Sequence, residues 1–300
     1  MRVQSRHARL TAGVGLAASL FGGALWFASS DPAFPLGGGQ ILFQTNRDGD
    51  NEIYVMDAEG SSQEPIAPSP NTDFAPAWSP DRSKVAFASD RDGDEEIYVM
   101  NVDGGGLVQL TADPGSDVDP QWSPDGGRIA FSSNRSSFQY DVFTMQADGS
   151  GVKRLTAHRG DDAMPAWSPD GARLAFVSDR AGGRRHIFTM NADGSGEAVL
   201  VQSKGHNTLP DWSPDGSRIA FTSTRDGDLE VFVIALDDQV ETNLSNHPDA
   251  SDFGPAWSPD GTRIAFVSDR RQFVEVFVMD ADGTDQAALT QGSASSQPDW

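Results

Sequence analysis

From residue 41 onward, short apolar runs alternate with polar turn segments at a constant beat. Six runs share one form: Ile41-Leu42-Phe43, Val85-Ala86-Phe87, Ile129-Ala130-Phe131, Leu174-Ala175-Phe176, Ile219-Ala220-Phe221 and Ile264-Ala265-Phe266. A second run follows each, from Ile53 to Met56, Ile97 to Met100, Val142 to Met145, Ile187 to Met190, Val231 to Ile234 and Val276 to Met279. Runs this short, bounded by Gly, Pro and Asp, read as strands. Being apolar at successive positions, they need cover on both faces.

Tryptophan sets the period. Trp78, Trp122, Trp167, Trp212, Trp257 and Trp300 are spaced 44, 45, 45, 45 and 43 residues apart, and Ser-Pro-Asp follows the first five. Proline at the second position of a turn and glycine at the fourth suit a type I turn, while Asp48-Gly49, Asp103-Gly104, Asp193-Gly194 and Asp282-Gly283 mark hairpins. Each unit then holds a short strand A ending at the tryptophan, strands B and C with the two apolar cores, and a weaker strand D such as residues 108–111. The pattern predicts an all-β, six-bladed β-propeller of four-stranded antiparallel blades, in which blades stacked around an axis cover one another. Pro32-Ala33-Phe34 and Gln297-Pro298-Asp299-Trp300 compete for strand A of the first blade. The C-terminal segment keeps the tryptophan, whereas Phe34 runs into three glycines, so the C-terminal strand is expected to close the ring.

The N-terminus has a different composition. Arg2, Arg6, His7 and Arg9 precede an uncharged apolar stretch from Leu10 to Ala28, the pattern of a secretory signal, or of an uncleaved anchor. The expected organisation is a signal peptide or membrane anchor over 1–30, a linker over 31–40 and the propeller over 41–300, with a periplasmic or secreted location. Membrane contact is expected only through an uncleaved N-terminal segment.

Charge narrows the partners. The chain carries 22 basic and 44 acidic residues, a net charge of −22, and the part after residue 30 has 19 basic residues against the same 44, or −25. Such a surface repels phosphate and disfavours nucleic acid. Absence of cysteine removes disulfides and thiolate chemistry. A monomer is expected.

The unit Pro-x-Trp-Ser-Pro-Asp-Gly, x-Arg-Ile-Ala-Phe, Ser-Asp-Arg, Ile-Tyr-Val-Met-Asn, Asp-Gly-Ser, Leu-Thr resembles the TolB-type β-propeller repeat over about residues 41–300. The resemblance implies the propeller fold and protein binding outside the cytoplasm. TolB itself also carries an N-terminal α/β domain, which ten residues between signal and Ile41 cannot form. The expectation is therefore a TolB-like propeller without that domain.

No Gly-x-Ser-x-Gly nucleophile elbow occurs. His158, His206 and His247 fall in loops between blades but nine, six and ten residues before their tryptophans, so they should sit at different depths. Asp48, Asp50, Asp92, Asp94, Asp226 and Asp228 lie in Asp-Gly-Asp hairpins and are candidates for weak calcium binding, although the glycine and glutamate do not match an EF-hand loop. No other cofactor is expected. Arg47, Arg91, Arg135, Arg180, Arg225 and Arg270 follow strand B, and Glu52, Glu96, Asp141, Glu230 and Glu275 open strand C, which predicts ion pairs across the hairpin. The tryptophans are expected between blades rather than on a carbohydrate platform.

In an up-and-down blade, D–A and B–C loops share one face. There the D–A loops vary, which is where recognition resides on a rigid scaffold. Asp73, Asp117, Asp162, Asn207 and Asp252 each stand five residues before a tryptophan and are expected to ring the channel mouth with negative charge. Phe138 and Tyr140 in blade three, with Arg184 and Arg185 in blade four, form an aromatic and basic sector suited to a binding hot spot. The expected function is an exported, non-catalytic protein- or peptide-binding module whose partner could be basic; the alternative is a metal-dependent lyase of uronic acid glycans.

Overall fold

The structure, a computed structural model, describes residues 39–66 and 68–300. The signal or anchor over 1–30, the linker up to residue 38 and the competing Phe34 lie outside the described residues. Among the described residues, twenty-four strands form six four-stranded antiparallel sheets. Strands A, from the first blade to the sixth, are Ser295–Asp299, Asp73–Trp78, Asp117–Trp122, Asp162–Trp167, Asn207–Trp212 and Asp252–Trp257. Strands B are Gln40–Thr45, Lys84–Ser89, Arg128–Ser133, Arg173–Ser178, Arg218–Ser223 and Arg263–Ser268. Strands C are Glu52–Asp57, Glu96–Asn101, Asp141–Gln146, His186–Asn191, Glu230–Ala235 and Glu275–Asp280, and the outer D strands are two to four residues long.

The C-terminal strand closes the ring. It pairs with strand B of the first blade at Leu42↔Asp299, Gln44↔Ser296 and Thr45↔Ser295. Its other flank touches blade six, where the Ser295 N–H donates to the Val274 carbonyl at 2.8 Å. Trp300 packs among Ile41 and Phe43 of blade one and Ala265 and Val278 of blade six.

The core repeats with the sequence. In every blade the strand B phenylalanine meets a strand C aromatic at 5.7–5.9 Å between ring centroids. Each in-phase tryptophan is buried and lies between blades. The arginine opening strand B stacks on the next blade's indole: Arg128 on Trp167, Arg173 on Trp212, Arg218 on Trp257 and Arg263 on Trp300, at 4.4–4.8 Å. Blade one has Gln40 there instead. Arg82 of blade two takes over, stacking on Trp78 at 5.1 Å while donating to the Gln40 carbonyl at 3.0 Å.

The Ser-Pro-Asp-Gly turns are satisfied internally. In blade three the Gly126 N–H donates to the Ser123 carbonyl at 2.8 Å, and Asp125 accepts from the Ser123 hydroxyl and the Gly127 N–H at 2.6 and 3.0 Å. The fourth turn position has φ between +58° and +70° in all five copies, which is why four of them use glycine.

Candidate functional site

Each strand A carries one extra residue opposite strand B, a bulge between the residues four and one before the tryptophan. The pairing of the closing strand is irregular at the same level. At the bulge, Ala75, Asp119, Met164, Leu209 and Gln297 have φ of +49° to +55°, and only blade six uses glycine, Gly254 at +61°. Left-handed backbone costs a residue with a Cβ about 1–2 kcal/mol. These residues and the prolines after them line the central channel, a cavity of about 590 Å³.

The channel alternates with blade parity. One residue before the tryptophan, blades two, four and six have Ala77, Ala166 and Ala256, whereas blades one, three and five have Asp299, Gln121 and Asp211. The odd blades cap backbone of the even ones. Gln297 Oε1, Ser132 Oγ and Thr222 Oγ1 accept from the N–H of Ala75, Met164 and Gly254, each at 2.9 Å. Asp299 and Asp211 accept from the Trp78 and Trp257 N–H groups at 2.6 and 2.7 Å. Burial pushes the Asp211 carboxyl up to about 7, with the nearby Asp299 charge adding to it and the backbone donors opposing it. Asp119 and Asp299 are raised by the same burial.

The five residues expected to ring the mouth lie elsewhere. Asp73, Asp117, Asp162, Asn207 and Asp252 are buried at the start of their strands. Four are neutralised by the arginine after strand B: Arg91 meets Asp73 at 2.8 Å, Arg180 meets Asp162 at 2.5 Å, Arg270 meets Asp252 at 2.7 Å, and Arg135 pairs with Asp117. Arg225 donates to the Asn207 side chain at 3.1 Å. These carboxylates therefore carry little charge to solvent, and the acidic side chains facing the channel are Asp119, Asp211 and Asp299.

The same contacts correct the predicted hairpin pairs. The ladder ends with Ser89 between Asp73 and Glu96, so the serine, not Arg91, stands opposite the glutamate. Arg91 folds back over Phe87 and Tyr98, at 5.3 and 4.7 Å, and reaches strand A. Glu96 instead accepts from the Asp113 N–H in the loop to the next blade.

On the D–A and B–C face, a cleft of about 330 Å³ adjoins the channel and shares Phe74, Asp119 and Met164 with it. Tyr140 and Arg185 line this cleft together with Glu95 and Asp161 over a floor that includes Val118 and Val177. The Asp161 carboxylate accepts from the Tyr140 N–H at 3.0 Å. Burial raises the Tyr140 hydroxyl, with the Glu95, Asp119 and Asp161 charges adding. Phe138 is fully exposed at 106% and Arg184 is also exposed.

The aspartate hairpins close as turns, Gly49, Gly93 and Gly227 donating their N–H groups to the carbonyls of Asn46, Asp90 and Thr224. Among the described residues, Asp92 and Asp94 converge with Glu96, and a second cluster joins Glu96 to Asp113 and Asp117; neither includes Asp48, Asp50, Asp226 or Asp228. The loop histidines are scattered. His158 meets Glu197 at 3.0 Å, His206 accepts from the Arg185 N–H at 3.2 Å, and the His247 N–H donates to Glu230 at 3.0 Å.

The family model described as TolB beta propeller domain matches residues 32–140, 114–202 and 194–300. No curated protein sequence matches the chain. Among solved structures, TolB from Acinetobacter baumannii is similar at 24% identity and a TM-score of 0.76, the alignment covering 87% of this chain and 66% of that one. A putative TolB from Agrobacterium tumefaciens is similar at 23% identity and a TM-score of 0.71, over 85% of this chain and 90% of that one. A more distant likeness, an oligogalacturonate lyase in complex with manganese, has 16% identity and a TM-score of 0.57 over 84% and 74% of the two chains. The chain thus spans 66% of the length of the Acinetobacter protein, and these likenesses show the fold.

Proposed function

The chain belongs to the TolB beta propeller domain family, and from that footing we propose that it is a non-catalytic protein- or peptide-binding module working in the periplasm or as a secreted protein. The observation that carries this reading is the continuous channel and side cleft on the D–A and B–C face. An apolar floor, one tyrosine, one arginine and a set of carboxyl groups make up its wall, and Glu95, Tyr140, Asp161 and Arg185 each stand directly before a strand. Such a mixture suits an extended peptide that inserts an aliphatic or aromatic side chain and sets a basic one against Glu95, Asp119 and Asp161. Export rests on the basic and apolar pattern of residues 1–30.

The test is surface-plasmon kinetics with a partner recovered by pull-down, at two salt concentrations. Tyr140→Ala and Arg185→Ala should speed dissociation about tenfold, while Asp161→Asn with Glu95→Gln should mainly slow association and flatten its salt dependence. If these variants bind like the parent and changes in the Ser-Pro-Asp turns weaken binding, the opposite face is the working one. Turnover of uronic acid glycans by metal-loaded protein would instead support the lyase alternative.

A further inference from the structure

Three carboxylates from two blades meet beneath the hairpin of blade two. Glu96 opens strand C, Asp113 lies in the loop to blade three and Asp117 opens the next strand A, with one ligand oxygen from each lying within 4.8 Å of the others. Glu96 is 1% exposed and Asp117 is fully buried. Glu96 Oε1 accepts from the Asp113 N–H at 2.8 Å, but its Oε2 has no partner. Asp117 Oδ2 takes the Arg135 guanidinium, but its Oδ1 has no partner either. Both buried acids thus keep one bare oxygen within a cluster that a third carboxylate joins, and like charges this close in a buried space repel one another unless something positive lies between them.

The other junctions lack this arrangement. Aligned on the tryptophans, the Asp113 position holds Ser69, His158, Ser203, Pro248 or Gln291. Where the pair of acids recurs, other groups use its oxygens: the Ser69 hydroxyl donates to Asp73 at 3.2 Å, and Arg154 donates to Asp141 at 2.6 Å. Asp252 Oδ1 and Glu275 Oε2 are also bare, but no third carboxylate stands beside them.

We propose that Glu96, Asp113 and Asp117 form a calcium site between blades two and three. The three carboxylates less the one guanidinium of Arg135, which lies 2.8 Å from Asp113, leave a charge that one divalent cation balances. An all-oxygen donor set, with neither sulfur nor imidazole, selects a hard ion, and waters complete its shell. Asp92 and Asp94 converge on the same Glu96 from the more exposed hairpin and give the ion its way in. The site would tie the two blades together across the face that carries the side cleft.

The test uses the whole chain, stripped with a chelator, titrated with CaCl2 and MgCl2 by calorimetry and by thermal melting. Calcium should bind with a Kd of about 10⁻⁴–10⁻³ M, the range of extracellular modules, and raise the Tm by several degrees at about 10 mM. Asp113→Asn, at a partly exposed loop position, should keep the fold by circular dichroism and weaken calcium at least tenfold, while Asp92→Asn with Asp94→Asn should weaken it far less. No calcium heat and no calcium-dependent Tm in the parent would overturn the site, leaving a proton shared between Glu96 and Asp117. Loss of binding in the Asp92 and Asp94 variant with retention in Asp113→Asn would also overturn it, placing the ion on the hairpin alone.

Discussion

Trp300→Ala tests the closure of the ring most directly. The indole is 7% exposed and is shared between the first and last blades, with the Arg263 guanidinium 4.8 Å above it. Removing a buried tryptophan costs about 3–5 kcal/mol, and the lost stacking adds about 0.5–1 kcal/mol. A domain of this size loses about 2–4 °C of Tm per kcal/mol, so the melt should fall by roughly 10 °C or more. Deleting residues 294–300 should cost more. It also removes the ladder to Leu42, Gln44 and Thr45 and the acceptors for the Ala75 and Trp78 N–H groups. Thermal melts followed by near-ultraviolet circular dichroism read both variants. A Tm within about 2 °C of the parent for Trp300→Ala would refute the reasoning, because a tryptophan packed as described cannot be lost so cheaply.

Two further outcomes follow from the buried charges and a third from the left-handed backbone at the bulges. Arg91→Ala should cost about 3 kcal/mol by stranding Asp73, and a double-mutant cycle should couple Arg91 to Asp73 while Arg91 and Glu96 add within about 0.5 kcal/mol; urea titration measures both. Asp211 is raised from 3.8 to about 7, so the folded state holds its proton more tightly than the unfolded chain and stability from this group is lost as pH rises through that interval. Asp211→Asn keeps an acceptor for Trp257 and should stabilise the protein increasingly between about pH 4 and 7, by about 2 kcal/mol at pH 8 once partial exposure to the channel is discounted; melts across pH report it. Leu209→Gly relieves left-handed strain and should leave stability unchanged or up to about 1 kcal/mol higher, as Gly254 already does in blade six, with chemical denaturation as the readout.

The repeat and the closing strand were legible because both rest on residues in phase with a tryptophan. Two competitors for one slot, Phe34 against Trp300, leave few topologies. The arginine partners were not legible, since hairpin spacing says which residues are near but not that the ladder would stop at Ser89 and turn Arg91 back onto aromatic rings. Depth was hidden for a related reason. A bulge of one extra residue lies between Asp73 and Ala77, so the strand start is buried while the bulge residue and the proline after it line the channel, and simple alternation assigns the wrong ones to the mouth. Tyr140 and Arg185 stand out in the sequence because their loops break the local pattern, and both line the side cleft. The channel signal was in the sequence too, as the alternation of Ala77, Gln121, Ala166, Asp211, Ala256 and Asp299, but it shows only when blades are compared two apart.

That alternation makes the ring a trimer of blade pairs rather than a hexamer of blades. Odd blades lend acceptors and the even blades that follow them receive these, so capped and uncapped seams alternate around the ring. Excising one blade would set two receivers or two lenders side by side, leaving buried N–H groups without acceptors at about 1–3 kcal/mol each. Excising or inserting a pair would keep every seam legal. Propellers enlarged or reduced from this one should therefore change size in steps of two, and a gene encoding blades three and four in tandem triplicate should close where an odd-numbered array would not.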